Sequence, residues 1–144
     1  METKPEGGKG RVVYTARTRT TGGRDHGIAR SCDGQLDVKL ATPGSPHIGS
    51  NPEQLFAACW SACFESAVGL AACKKGITLP GDVVIDAEVD LHLDDSGYFL
   101  SARLNISIPG IGRPLAQELI VDARELCPYS KATKGHIDVT YTIV

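Results

Sequence analysis

The sequence lacks any run of basic residues, and its net charge is -2. Nothing in it could track a phosphate backbone, so nucleic acid is excluded as an expected partner. It also lacks a long hydrophobic run. The longest unbroken apolar stretch, 55–60, falls far short of the roughly 20 residues that a membrane span needs. No signal-peptide core follows the start. "METKPEGGKG" (1–10) is polar and Gly-rich, and reads as a disordered tail. There is no internal repeat. His26, His47, His92 and His136 are scattered with no metal-ligand spacing, and are expected at the surface. Hydrophobic content of 42% and charged content of 22% are ordinary for a globular protein. The expectation is a single domain over 11–144, soluble and cytoplasmic, without a membrane partner.

Five cysteines are present, an odd number in a chain too long to need staples. A disulfide framework is disfavoured, and the thiols are either inert core residues or chemically used.

The chain divides at its turn signals. "RVVYTARTRT" (11–20) is rich in β-branched residues and predicts a strand. "TGGRDHG" (21–27) is a turn or loop. Asp33-Gly34 sits between two strand-like segments and predicts a hairpin of type I′. Leu36, Val38 and Leu40 would form its buried face. Asn51, Pro52 and Gln54 then start a helix, and Lys74, Lys75 and Gly76 end it. Within 55–64 only Ser61 is polar, so this helix has to be covered on all sides. One small domain cannot easily do that, which points to a second copy.

Two alternating strands follow, over 82–93 and 98–108. Val83, Ile85, Ala87, Val89, Leu91 and Leu93 share one face of the first, and Tyr98 through Ile108 at alternate positions share one face of the second. A helix over 115–126 carries the stripe Ala116, Leu119, Ile120, Ala123 and Cys127, with Pro128 ending it. Ile137, Val139, Tyr141 and Ile143 mark a last strand. The order is βββ-α-ββ-α-β, an α+β fold with mainly antiparallel sheet and not a doubly wound one.

Cys59 and Cys63 lie on one helix face at i, i+4. Several readings are open for them. Free cysteines usually behave as small buried hydrophobes. A zinc site needs about four ligands, and no partner motif stands nearby. Side chains at i, i+4 stack rather than face each other, which disfavours a disulfide between them. A reactive thiolate is the remaining case, and it needs a cation, because an apolar pocket alone raises a thiol's pKa. Cys73 and Cys32 read as structural or incidental.

"YTARTRTTGGRDHG" (14–27), "DGQLDVKL" (33–40), "NPEQLFAACWSACF" (51–64) and "CPYSKATKGHIDV" (127–139) together resemble the organic hydroperoxide resistance branch of the OsmC/Ohr family. The resemblance runs from Tyr14 onward. It implies an intertwined homodimer, with sheets from both chains wrapped around long central helices. It implies a thiol peroxidase that reduces alkyl or fatty-acyl hydroperoxides to alcohols. Carried over, Cys63 is the peroxidatic thiol and Cys127 the resolving thiol. Arg24 is the cation that stabilises the thiolate, and Glu53 is the acid that orients Arg24. The expected reductant is dihydrolipoamide or a lipoylated protein, with no metal, flavin or haem cofactor. The rings of Phe56, Trp60 and Phe64, with Leu55, are expected to favour an alkyl substrate. Four departures stand out. Cys59 replaces a common Gly, Lys131 replaces a usual Asn, "TKGH" (133–136) replaces a usual "TRGN", and the loop before Asn51 is short.

Overall fold

The structure, a computed structural model, describes residues 10–144. The expected tail over 1–10 therefore lies outside the described residues except for Gly10. The chain forms two compact units, divided between Asn51 and Pro52.

The first unit holds β1 (Thr18–Thr21), α1 (Gly23–His26), β2 (Ile28–Ser31) and β3 (Asp37–Lys39), with the three strands in the order β1-β2-β3. Both pairings are antiparallel. β1 is much shorter than the predicted strand. Thr18 pairs with Ser31 and the Arg17 carbonyl still accepts from the Cys32 amide, after which the neighbouring strand turns away at Asp33-Gly34, so residues before Arg17 have no ladder to join in this sheet. Val12, Val13 and Tyr14 are about four-fifths exposed, at 80%, 83% and 77%. The expected hairpin forms, but not with the expected turn. A type I′ turn needs positive φ at both central residues. Gly34 has φ 74°, whereas no described non-glycine residue has positive φ. Asp33 instead accepts hydrogen bonds from the Ser31 hydroxyl and the Gln35 amide. Of the expected buried face, Leu40 is buried, Val38 is half-buried and Leu36 is exposed.

The second unit is Pro52–Val144. It holds α2 (Pro52–Lys74), β4 (Val84–Asp94), β5 (Gly97–Ser107), α3 (Arg113–Leu126), α4 (Pro128–Thr133) and β6 (Asp138–Ile143). The sheet runs β4-β5-β6. β4 and β5 form a long antiparallel hairpin, and β6 joins β5 in parallel. α2 packs on β4, α3 and α4. The core gathers Trp60, Phe64, Val68, Leu104, Ile106, Leu119 and Cys127. The stripe expected on α3 is buried in full. Lys75, just past α2, ties it to α3 through Glu118 and Asp122.

Two helices absent from the predicted order appear, α1 and α4, and both are short. α2 itself matches the prediction to within a residue, and by length and composition it is apolar enough to cross a membrane. Counting only unbroken apolar residues had concealed that property. Its burial is one-sided in this chain. Trp60, Phe64, Ala67, Val68, Ala71 and Ala72 are buried, whereas Ala58, Cys59, Ala62, Ser66, Gly69, Leu70 and Cys73 are exposed. The β4–β5 hairpin shows a similar split. Val83 to Val89 pack on the core, but Leu91, Leu93 and Tyr98 near the turn are exposed at 42%, 66% and 72%, because the hairpin runs past the core.

Candidate active site

The site is built where α2 meets the junction of α3 and α4. Cys63 projects from the middle of α2 at the border between its buried and exposed faces, and is half-buried. Cys127 is fully buried. It occupies one extended residue, φ -71° and ψ 119°, that serves as C-cap of α3 and N-cap of α4. Its amide closes α3 on the Ala123 carbonyl at 2.8 Å. Pro128 then opens α4, where its missing N–H is no loss.

This geometry brings the two thiols together. The Cys127 side chain interacts with Cys63 so as to favour its neutral form. The first turn of α4 aims one amide at each sulfur. The Tyr129 N–H donates to Cys63, and the Ser130 N–H donates to Cys127 Sγ at 3.5 Å. Burial pushes the Cys63 thiol above its ordinary pKa. The hydrogen bond and the charge interaction with Cys127 add to that, and the Tyr129 amide only partly offsets it. Within the second unit, then, Cys63 is held as a thiol. Two thiols in contact can be oxidised to a disulfide, which is two-electron chemistry.

Ser130 is 5% exposed and anchored on both sides. Its hydroxyl accepts from Trp60 Nε1 on α2 and from the Tyr141 hydroxyl on β6, both at 3.1 Å. The rings sort into two groups. Trp60 and Phe64 are wholly buried and belong to the core, so they are not an exposed substrate wall. Phe56 lies edge-on to Trp60 at 5.4 Å and 6.5 Å from the Tyr129 ring; Phe56 and Leu55 are half-buried and Tyr129 is 38% exposed. These last three remain accessible, and of them Tyr129 reaches Cys63. Cys59 is exposed, contrary to the expectation of a small core residue, because it lies one turn from Cys63 on the open face of α2. The Tyr129 side chain reaches Cys59. Burial first, and the nearby thiols second, raise the pKa of Tyr129.

The other expected site residues are placed as follows. Arg24 lies in α1 of the first unit and is exposed. Positive φ at Gly22 and Gly23, 79° and 67°, turns the chain into that short helix, and Asp25 beside Arg24 accepts from the Thr42 hydroxyl. Glu53 is in the first turn of α2, half-buried. It is ten residues before Cys63, about 15 Å along the helix. Neither side chain is without a partner. Among the described residues, no three His, Cys, Asp or Glu side chains gather so as to hold a metal ion. His26, His47 and His136 are exposed; His92 is half-buried, stacked on Phe99 and bonded to Ser101.

Sequence reasoning missed α4, the two sulfur-directed amides, and the Trp60–Ser130–Tyr141 anchor. Pro128 directly after Cys127 was the available signal for α4, since proline favours the first helical position as well as ending the helix before it.

An α+β scaffold that seats one thiol on a long central helix and a second at a helix junction defines an OsmC-like protein. Residues 43–142 match the family model described as OsmC-like protein, and the chain belongs to that family. It is 44% identical over 137 residues to the organic hydroperoxide resistance protein of Xanthomonas axonopodis pv. citri (strain 306), covering 92% of this chain and 96% of that one. It is similar to the crystal structure of the organic hydroperoxide resistance protein OhrB of Bacillus subtilis, with TM-score 0.86, 38% identity, and 92% and 100% of the two chains covered. An organic hydroperoxide resistance protein from Legionella pneumophila gives TM-score 0.87 at 38% identity, with 92% and 98% covered.

Proposed function

We propose that this protein acts in resistance to organic hydroperoxides as a cysteine-based peroxidase. The observation that carries the reading is the contact between the Cys63 and Cys127 thiols. The relatives named for organic hydroperoxide resistance support it.

The Cys63 thiolate attacks one peroxide oxygen and the O–O bond breaks. The other oxygen leaves with the alkyl group, takes a proton and departs as the alcohol. Cys63 is then a sulfenic acid. The Cys127 thiol condenses with it, releasing water and forming the Cys63–Cys127 disulfide. A dithiol of the lipoyl type, dihydrolipoamide or a lipoylated protein, reduces that disulfide by exchange. The described chemistry calls for no metal or prosthetic group.

The raised pKa of Cys63 gives Arg24 a definite task. A permanent cation brought to the sulfur would offset burial and hold the thiolate, and its planar fork suits peroxide oxygens as well. Glu53 would orient Arg24 as a bidentate partner. Phe56, Leu55 and Tyr129 supply the apolar approach for an alkyl or fatty-acyl group. The working form is a homodimer in the cytoplasm. A second copy would cover the open face of α2, the hairpin end at Leu91, Leu93 and Tyr98, and the extended segment at Val12–Tyr14.

The test is peroxide turnover with dihydrolipoamide, comparing cumene hydroperoxide with hydrogen peroxide, for the wild type and for Cys63→Ser and Cys127→Ser. The organic peroxide should be preferred and Cys63→Ser inactive. Turnover retained in Cys63→Ser would sink the proposal. Equal rates for the two peroxides would move the protein to another branch of the family.

A further inference from the structure

We infer that Ser130 is a positioning residue that sets the approach of Cys127 to Cys63. The inference rests on the reading above, in which these two thiols pair as a disulfide.

A disulfide needs its two Cβ atoms within about 3.5–4.5 Å and a narrow torsion about the S–S bond. Cys63 and Cys127 come from elements remote in sequence, α2 and the α3–α4 junction. Something must register those elements against each other more finely than apolar packing does. Ser130 is placed to do so. It is two residues past Pro128 in the short turn that carries Cys127, and its own amide donates to Cys127 Sγ. Its hydroxyl accepts from Trp60, which is three residues from Cys63 on the same helix and fully buried. The same hydroxyl accepts from Tyr141 on β6, at an equal 3.1 Å. One buried oxygen thus joins the helix of the first thiol, the turn of the second, and the sheet. Tyr141 is itself braced by the Phe64 ring at 5.3 Å and by the Arg124 guanidinium at 4.7 Å. Phe64 is the residue next to Cys63, so the brace closes back onto α2.

Removing the hydroxyl leaves the Ser130 amide on Cys127 but frees the turn from both anchors. The thiols then sample a wider range of separations, and disulfide formation weakens relative to the dithiol. Apart from Cys127 itself, the reactivity of Cys63 is set by its burial and by the Tyr129 amide, and that part should stay as it is.

The experiment equilibrates reduced full-length protein in mixtures of reduced and oxidised dithiothreitol, and measures the Cys63–Cys127 disulfide by non-reducing peptide mapping. No peroxide is present. Ser130→Ala should lower the equilibrium constant for the disulfide about tenfold, between the worth of one and of two net hydrogen bonds, since it removes two. Tyr141→Phe should lower it by a smaller factor. The double variant should fall no further than Ser130→Ala alone, because both remove one shared bond. In a Cys127→Ala background, Ser130→Ala should change Cys63 alkylation by iodoacetamide by less than about twofold. An unchanged constant in Ser130→Ala would overturn the inference, as would fully additive losses in the double variant. If Ser130→Ala fails to fold, Tyr141→Phe decides alone, with an unchanged constant counting against the inference. A wild type that forms the disulfide here yet reduces no hydroperoxide would sink the peroxidase reading and leave the positioning role standing.

Discussion

The two long faces of α2 share one backbone and little else. One face presents Trp60, Phe64, Val68 and Ala71–Ala72 to a closed core. The other presents Ala58, Cys59, Ala62, Ser66, Gly69, Leu70 and Cys73 to the surroundings. The first face starts with large residues, Trp60 and Phe64, and tapers to alanines toward the C-terminal end, whereas most residues named on the second are small throughout. Cys63 sits on the line between them. It is buried enough to lie against Cys127 and open enough for a peroxide to arrive. Cys59, one turn back, is the same residue type with a different fate, because its place on the helix puts it wholly on the open side. Position around the helix, rather than residue identity, separates the proposed nucleophile from its neighbour.

That contrast can be broken in several ways. Cys63→Ser should remove peroxide turnover, a loss of about a thousandfold or more, measured with cumene hydroperoxide and dihydrolipoamide. Residual turnover near wild type would shift the nucleophile elsewhere. On the closed face, Phe64→Ala should destabilise the protein by about 3–5 kcal/mol, read from urea unfolding. A loss below 1 kcal/mol would mean the face is not the core it is taken to be. On the open face, Ala62→Glu should leave helix content intact but shift the proposed dimer to monomer in sedimentation at micromolar concentration. A dimer of wild-type strength would show that this face is not the interface.

A finer prediction concerns pH. Burial and Cys127 both raise the Cys63 pKa, so the thiol loses its proton later than an ordinary one unless a cation intervenes. Cys127→Ala should therefore lower the pH midpoint of Cys63 alkylation, and Arg24→Ala should raise it. A rise in the first variant or a fall in the second would contradict the assigned causes. The smallest effect belongs to Cys59→Ser. Stability should change by under about 0.5 kcal/mol, and turnover by under twofold. A larger loss would make Cys59 part of the machinery.

Much of this was legible in the chain. Helix α2 announces itself through Asn51-Pro52 at one end and Lys74-Lys75-Gly76 at the other. The α3 stripe and the β4–β5 alternation follow from simple periodicity, and the core at Ala116, Leu119, Ile120, Ala123 and Cys127 falls where that periodicity places it. What escaped is tertiary. Whether a β-branched segment such as 11–17 becomes a strand depends on a partner, and its neighbour in the sheet ends at Ser31. The parallel seating of β6 is not a property of its own residues. The bond between Trp60 and Ser130 spans 70 positions, which no local pattern reports. For the same reason the pairing of Cys63 with Cys127 entered the sequence reading only through family resemblance, whereas in the structure it follows from the crossing of α2 with the α3–α4 junction.

The parallel seating of β6 has a consequence in time. Ser101 on β5 pairs with Asp138 on β6, and a parallel neighbour cannot be reached by a tight turn. Both α3 and α4 have to be laid down first, and such distant pairings form slowly. Tyr141 arrives with β6, so the anchor on Ser130 closes late. Until then Cys127, the one cysteine that the finished fold buries completely, lies open to oxidants and to the other thiols. A newly made molecule is therefore more easily harmed at Cys127 than a mature one.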